Sequence, residues 1–444
     1  MNSDKVLFTA NRFCILNTVF IIYSFLFLFT GCLKVKRSPF DVSSPSGSIL
    51  TNAIIAAFAK IVPPSAPVQI PAPGITYTGS PYSFVRFDNI QVTPTVTGTV
   101  TSCTVSPSLP AGLSLNSSTC VISGSPAAAQ SAVSYSIKAA NSSNSTTVSI
   151  SIAVTTAIIY AGLAGGLSIS SNGGTSYTNY TTANGLGNNT VFGVYVSGSN
   201  VYAATAGGLS ISSNGGTSYT NYTTAAGLGN NMVNGVYASG SNVYAATNGG
   251  LSISTNGGTS YVNRTTGNGL GSNTVYAVYA SGSSIYAATT GGLSISTDGG
   301  SSFVNKTTAN GLGSNAAVGI HAVGSNVYVS TPVGVSISTN GGSSFTNYTS
   351  GLGSTNILGA YASGSKVYAA TNGGGIGVST DGGISYTAYN NANSSLMNDS
   401  VYGIYAIGNN VYAATSSGMS VSVNGGINFT ANFSAASVNA IIAQ

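Results

Sequence analysis

The chain has 444 residues, 43% of them hydrophobic and only 4% charged, with a net charge of +5. That balance argues against disorder, which pairs low hydrophobicity with high charge. The small positive excess, with Lys5, Arg12, Lys34, Lys36 and Arg37 all near the N-terminus, argues against a nucleic-acid partner.

The length calls for two or three domains. There is no Glu; the acids are Asp4, Asp41, Asp88, Asp298, Asp381 and Asp399, and His321 is the one histidine. Short runs of Val, Ile, Tyr and Thr between Gly and Asn clusters favour strands over helices. The expected fold class is all-β.

At the N-terminus, Lys5 and Arg12 precede an apolar run over 13–29, the pattern of a secretory signal. The run ends Phe29-Thr30-Gly31-Cys32. This resembles the bacterial lipobox, with Phe29 where Leu is usual. The resemblance implies a signal peptide over 1–31, lipidation of Cys32 and a lipid anchor in the outer membrane. An uncleaved transmembrane anchor is the alternative, since the run is nearly long enough to span. Residues 32–65 read as a tether, with turn signals at Ser38-Pro39 and Ser44-Pro45 and a semi-stiff spacer from Pro63-Pro64 onward.

With Cys14 in the signal and Cys32 carrying lipid, Cys103 and Cys120 remain as an even pair. In an oxidising compartment the pair reads as a disulfide; two buried free thiols are the alternative. CxxC spacing is absent, so no metal site is expected.

Residues 66–155 hold short alternating strands such as Val148-Ser149-Ile150-Ser151-Ile152 and Val133-Ser134-Tyr135-Ser136-Ile137. About 90 residues of this pattern suit a β-sandwich. The stretch Leu109-Pro110-Ala111-Gly112-Leu113-Ser114, followed by Ile122-Ser123-Gly124-Ser125-Pro126, resembles the signature of the bacterial putative-Ig family. Cys120 stands where that family commonly has Gly. Related cadherin-like modules bind calcium. Here Asp88 is the one acid of the segment, whereas calcium takes about six to eight oxygens with several carboxylates. No cofactor is expected, and the segment reads as a spacer or adhesive module.

The remainder, 157–444, is periodic, and the period decides the fold. The element Ser-x-Asn/Asp-Gly-Gly-x-x-aromatic starts at Ser170, Ser212, Ser254, Ser296, Ser338, Ser379 and Ser422, spacings of 42, 42, 42, 42, 41 and 43. Each unit contains four strand-like pieces; in the fourth these are 275–280, 284–289, 292–297 and 302–306. Asp298-Gly299-Gly300 turns between the last two, supplying the positive φ that tight hairpins need. Four antiparallel strands per unit make a propeller blade.

The first unit begins at its second strand, Ala157-Ile158-Ile159-Tyr160. The last unit is followed by Val438-Asn439-Ala440-Ile441-Ile442-Ala443, which aligns with a first strand. The reading is a seven-bladed β-propeller whose C-terminal strand completes the first blade, removing open edges.

Two resemblances apply over this region. The recurrent turn, with Asn172, Asn214, Asn256, Asp298, Asn340, Asp381 and Asn424 at its third position, resembles the Asp-box (BNR-like) hairpin of sialidase-like propellers. In those families it is a folding element, which implies a structural role here. Segments such as Gly269-Leu270-Gly271-Ser272-Asn273 resemble the propeller repeat of two-component regulator sensors.

Sialidases need three arginines, a Tyr with a Glu partner and an Asp acid, and glycosidases in general need paired carboxylates. This propeller has Arg264 alone and no Glu. Asp399 has no acidic neighbour in sequence. His321 aligns with Tyr195, Tyr237, Tyr279, Tyr361 and Tyr405 and reads as an aromatic filler between blades. No catalytic residue is assigned.

The chain therefore reads as a monomeric, membrane-anchored binding protein for a protein or glycan ligand. The inter-blade loops 181–190 and 307–315 carry Asn and Gly suited to hydrogen-bonding sugars. They are near-copies, so the less regular stretch 389–400 is the candidate for a distinct contact. The alternatives are a structural envelope protein without a ligand, and a sialidase-like hydrolase or lyase using Asp399 or His321.

Overall fold

The structure, a computed structural model, describes residues 69–434 and 437–444. The expected signal peptide, Cys32 and the tether over 32–65 lie outside these residues.

Nine strands build the first layer pair: β1 Gly74–Thr76, β2 Tyr82–Val85, β3 Ile90–Val92, β4 Thr95–Thr97, β5 Ser102–Ser106, β6 Leu113–Leu115, β7 Ile122–Gly124, β8 Gln130–Ala140 and β9 Ser145–Thr155. One sheet runs β2-β9-β8-β5, with β2 parallel to β9, and another runs β3-β7-β6. Alternation along the long strands makes the core. Tyr135, Ile137 and Ala139 of β8 and Ile150, Ile152 and Val154 of β9 face inward, where they pack with Ile122 and Phe84. The result is a β-sandwich.

Cys103 on β5 and Cys120 just before β7, 17 positions apart in sequence, form a disulfide with Cα atoms 5.4 Å apart. Cys120 has φ +56°, a left-handed conformation that favours Gly. This gives a backbone reason for the family's glycine at that position. Closing a loop of this length contributes roughly 3 kcal/mol in the chain-entropy model. A Cys103→Ser/Cys120→Ser variant is expected to lose about that much sandwich stability. Reductant should lower the melting midpoint of the parent chain and leave that of the variant unmoved.

Seven four-stranded antiparallel sheets follow. In blade one the inner strand is Val438–Ala443, paired with Ile159–Leu163 so that Ile159 meets Ala443 and Leu163 meets Val438. The inner strands of blades two to seven are Val191–Ser197, Val233–Ser239, Val275–Ser281, Gly319–Val323, Ile357–Ser363 and Val401–Ile407. Each lies beside the next around a ring, and Val438–Ala443 touches those of both blade two and blade seven. The chain is thus an Ig-like sandwich followed by a closed seven-bladed propeller.

The second and third strands of a blade are buried on both faces; the second is a near-continuous apolar run, as such burial requires, whereas the third alternates Leu and Ile with Ser. In blade two, Val201, Tyr202, Ala203, Ala204 and Leu209 are all buried, and the small alanines let neighbouring sheets approach. Buried Ser210 is satisfied from two sides. It donates to Asn221 Oδ1 (3.0 Å) and accepts from Gly187 N–H of the inter-blade connection (2.9 Å). The same pattern recurs at Ser252 and Ser294.

The outer strand of blade four is shorter than expected, Val304–Lys306 rather than 302–306. Ser302 is spent in the turn, where its hydroxyl donates to Asp298 Oδ2.

Candidate functional site

The seven recurrent turns share one hydrogen-bond pattern. In the first, Ser170 Oγ donates to Asn172 Oδ1 (2.9 Å) and accepts from Gly174 N–H (2.8 Å), while Ser176 N–H donates to Asn172 Oδ1 (3.0 Å). Asn214, Asn256 and Asn340 repeat it, and Asn424 does so with Asn428 N–H as the closing donor.

At the two acidic positions the backbone bonds are kept, and the side-chain bond to the closing serine reverses direction. Asn172 Nδ2 donates to Ser176 Oγ, whereas Ser302 Oγ and Ser385 Oγ donate to Asp298 and Asp381. These bonds hold both carboxyls well below the usual carboxylate range: the Ser302 hydroxyl leads at Asp298, and the Ser379 hydroxyl at Asp381. Each charge is committed to its turn.

Asp399 is also occupied. Its Oδ1 accepts from Asn391 N–H (2.7 Å), and its carbonyl accepts from Gly373 and Gly375 N–H. The irregular stretch 389–400 is a longer version of the other connections. Asn390 caps a helical turn, Asn391–Ser394, where four other connections have a 3-10 turn capped by Thr, and Leu396 is buried as Leu186 is. Asp399 stands where Asn189, Asn231, Asn273 and Asn315 accept from Thr N–H groups. The asparagines of 181–190 likewise serve their own loop: Asn184 Oδ1 accepts from Thr181 N–H and Asn188 Oδ1 from Thr190 N–H.

The structure brings together a different set. Tyr195, Tyr237, Tyr279, His321, Tyr361 and Tyr405 form a belt around the central channel. Successive ring centroids are 4.7, 4.7, 5.2, 4.6 and 4.9 Å apart. Ile442 of blade one closes the circle, and the belt lines a cavity of 320 Å³. Sequence alignment found these positions and read His321 as filler between blades. The signal for a channel was the recurrence of an aromatic at one aligned position of every inner strand except that of blade one. Burial pushes the hydroxyls of Tyr237 and Tyr279 up to about 12, so the belt is uncharged at neutral pH.

His321 Nδ1 accepts from the backbone N–H of Ala362 in the next blade (3.1 Å). That bond places the proton of the neutral ring on Nε2. Desolvation lowers its pKa to about 4. The unfolded chain therefore takes up a proton near the ordinary value of 6.5 that the folded chain refuses. Stability should be full at pH 7 and fall as pH drops through this window, by roughly 2 kcal/mol at pH 4.5 for a half-buried ring. Urea midpoints at pH 7 and 4.5 check this: the difference should be present in the parent and absent in His321→Tyr.

Among the described residues no three His, Cys, Asp or Glu side chains come together.

Residues 64–155 match the family described as He_PIG, the putative Ig domain. No curated protein matches the chain. The extracellular domains of two hybrid two-component systems of B. thetaiotaomicron are similar solved structures. One is 16% identical over 59% of this chain and 37% of its own, with a TM-score of 0.49. The other is 19% identical over 60% and 36%, with a TM-score of 0.49. This chain thus spans little more than a third of either. YCF48 from Cyanidioschyzon merolae is 16% identical over 54% of this chain and 84% of its own, with a TM-score of 0.43.

Proposed function

We propose that the chain is an exported lipoprotein, anchored through Cys32 in the outer membrane as a monomer. Its propeller binds a protein or glycan ligand without transforming it. The observation that carries the reading is the aromatic belt around the 320 Å³ cavity, a concave surface with polar tips and no ionised group.

The groups that chemistry would need are engaged elsewhere. Asp298 and Asp381 hold turns, Asp399 holds a connection, and the unprotonated Nδ1 of His321 accepts a hydrogen bond from a backbone N–H. Binding is left as the role of the channel.

The test has two parts. Blocking lipidation with Cys32→Ser should release the protein from the membrane fraction. The full chain, immobilised in detergent, should retain a ligand from either a glycan array or a surface-protein extract; retention of neither, or turnover of a retained glycan, overturns the reading.

A further inference from the structure

We infer that one mouth of the central channel is a binding site for an uncharged oligosaccharide; this rests on the binding reading above and gives it a place and a ligand class. The inner strands are near-copies. With blade five counted from Ala317, two residues before its strand, the third residue is Gly or Ala in every blade and the fifth is aromatic in all but one. The second position diverges: Phe192, Asn234, Tyr276 and Val318 in blades two to five, then Leu358, Tyr402 and Asn439. No two adjacent blades carry the same residue there. The position thus differs from blade to blade, while the third residue beside it stays Gly or Ala.

The geometry explains that variation. In six blades this residue is the extra one of a β-bulge: Val191 pairs with Thr205 and Gly193 with Ala204, leaving Phe192 without a partner, and the shift recurs elsewhere. Bulges re-aim a side chain out of the ladder. The small third residues let the inner strands converge: a Cβ on Gly193 would lie 3.1 Å from Gly235 Cα, and one on Gly235 2.9 Å from the Tyr276 carbonyl oxygen. The ring is therefore tight at the backbone, and its mouth is furnished by the bulged side chains. Tyr276 and Tyr402 are 38% and 37% exposed. Asn234 and Asn439 are held by bonds from Nδ2 to the carbonyls of Val275 (2.8 Å) and Val191 (3.0 Å) in the next blade.

The chemistry at this mouth is amide and aromatic in turn over blades one to four (Asn439, Phe192, Asn234, Tyr276), then aliphatic at Val318 and Leu358, then aromatic again at Tyr402. Aromatic faces stack on the C–H faces of sugar rings while their polar tips hydrogen-bond hydroxyls. Among the described residues, the charged side chains of the propeller stand apart from these positions or serve the fold. Arg264 and Lys306 lie on outermost strands, Asp298 and Asp381 in the turns, and Lys366 at the far hairpin of its inner strand. Asp399, nearest in sequence, gives its carboxylate to Asn391 N–H.

The test is saturation-transfer NMR on the detergent-solubilised full chain with cellohexaose, maltohexaose and mannohexaose. At least one should bind, and Tyr276→Ala/Tyr402→Ala should weaken it tenfold or more with the melting midpoint unchanged. Tyr276→Phe/Tyr402→Phe keeps the rings and should stay within about threefold. Binding of none of the three, or undiminished binding by the alanine pair, overturns the proposal. In the second case the display function survives with its site elsewhere. Retention of a surface protein with no sugar bound likewise spares the function and sinks the ligand class.

Discussion

A chain truncated after Ser437 is expected to lose its closed propeller. The removed segment is the inner strand of blade one. Val438 is fully buried, and Ile441 and Ile442 are 8% exposed. Three such side chains contribute roughly 5–9 kcal/mol of burial, comparable with the whole stability of an ordinary domain, about 5–15 kcal/mol. The loss also frees the edge of Ile159–Leu163, removes the Asn439 bond to Val191, and opens the ring between blades two and seven. Open edges with so few charges to guard them invite association. Size exclusion should show soluble aggregate or none of the monomer, and calorimetry no cooperative transition near that of the full chain. A truncated monomer melting within a few degrees of the parent would sink the closure argument. Adding the peptide 438–444 in trans should restore part of the transition.

Closure was legible in the sequence because it rests on counting. The recurrent turn fixed the period, and two half-units at opposite ends of the array had complementary missing strands. The sandwich was legible because β8 and β9 alternate strictly, and alternation is what half-buried strands require. The channel was harder. Position five of the inner strand was visibly aromatic, but whether such a ring fills a gap between sheets or faces an axis depends on how the sheets are arranged. The bulged mouth residues were harder still. A single unpaired residue does not disturb a period of 42, and only strand registers such as Val191 with Thr205 reveal it. The stretch 389–400 misled for the converse reason. Its sequence is irregular, yet an added residue converts a 3-10 turn into a helical one while Asp399 still takes the cap position of Asn189. The asparagines of the inter-blade loops, read as hydrogen-bonding groups for sugars, have their Oδ1 atoms accepting from the N–H groups of their own loops.

Gly185→Ala is expected to destabilise the propeller by about 2–4 kcal/mol. Gly185 ends the 3-10 turn Thr182–Asn184 with φ +97°, and its N–H donates to the Thr182 carbonyl. Left-handed backbone alone costs a non-glycine residue roughly 1 kcal/mol. The larger part is steric. An added Cβ would overlap the carbonyl oxygen of Tyr219, the aromatic of the turn in the same blade, whose N–H is held by the Asn184 carbonyl (2.9 Å). Backbone on both sides leaves nothing flexible to give way, and overpacking of that kind adds about 1–3 kcal/mol. Gly227, Gly269 and Gly311 meet Tyr261, Phe303 and Phe345 in the same way, so each connection is clamped onto the turn of the blade it enters. Gly198 is the control: its φ is +60°, but nothing lies within 4 Å of its Cβ. Gly198→Ala should therefore cost only the conformational share, about 1 kcal/mol. Urea unfolding of the two variants separates the contributions. Equal midpoints would show that the clamp is not what holds the connections, and would return loops such as 181–190 to consideration as free binding surfaces.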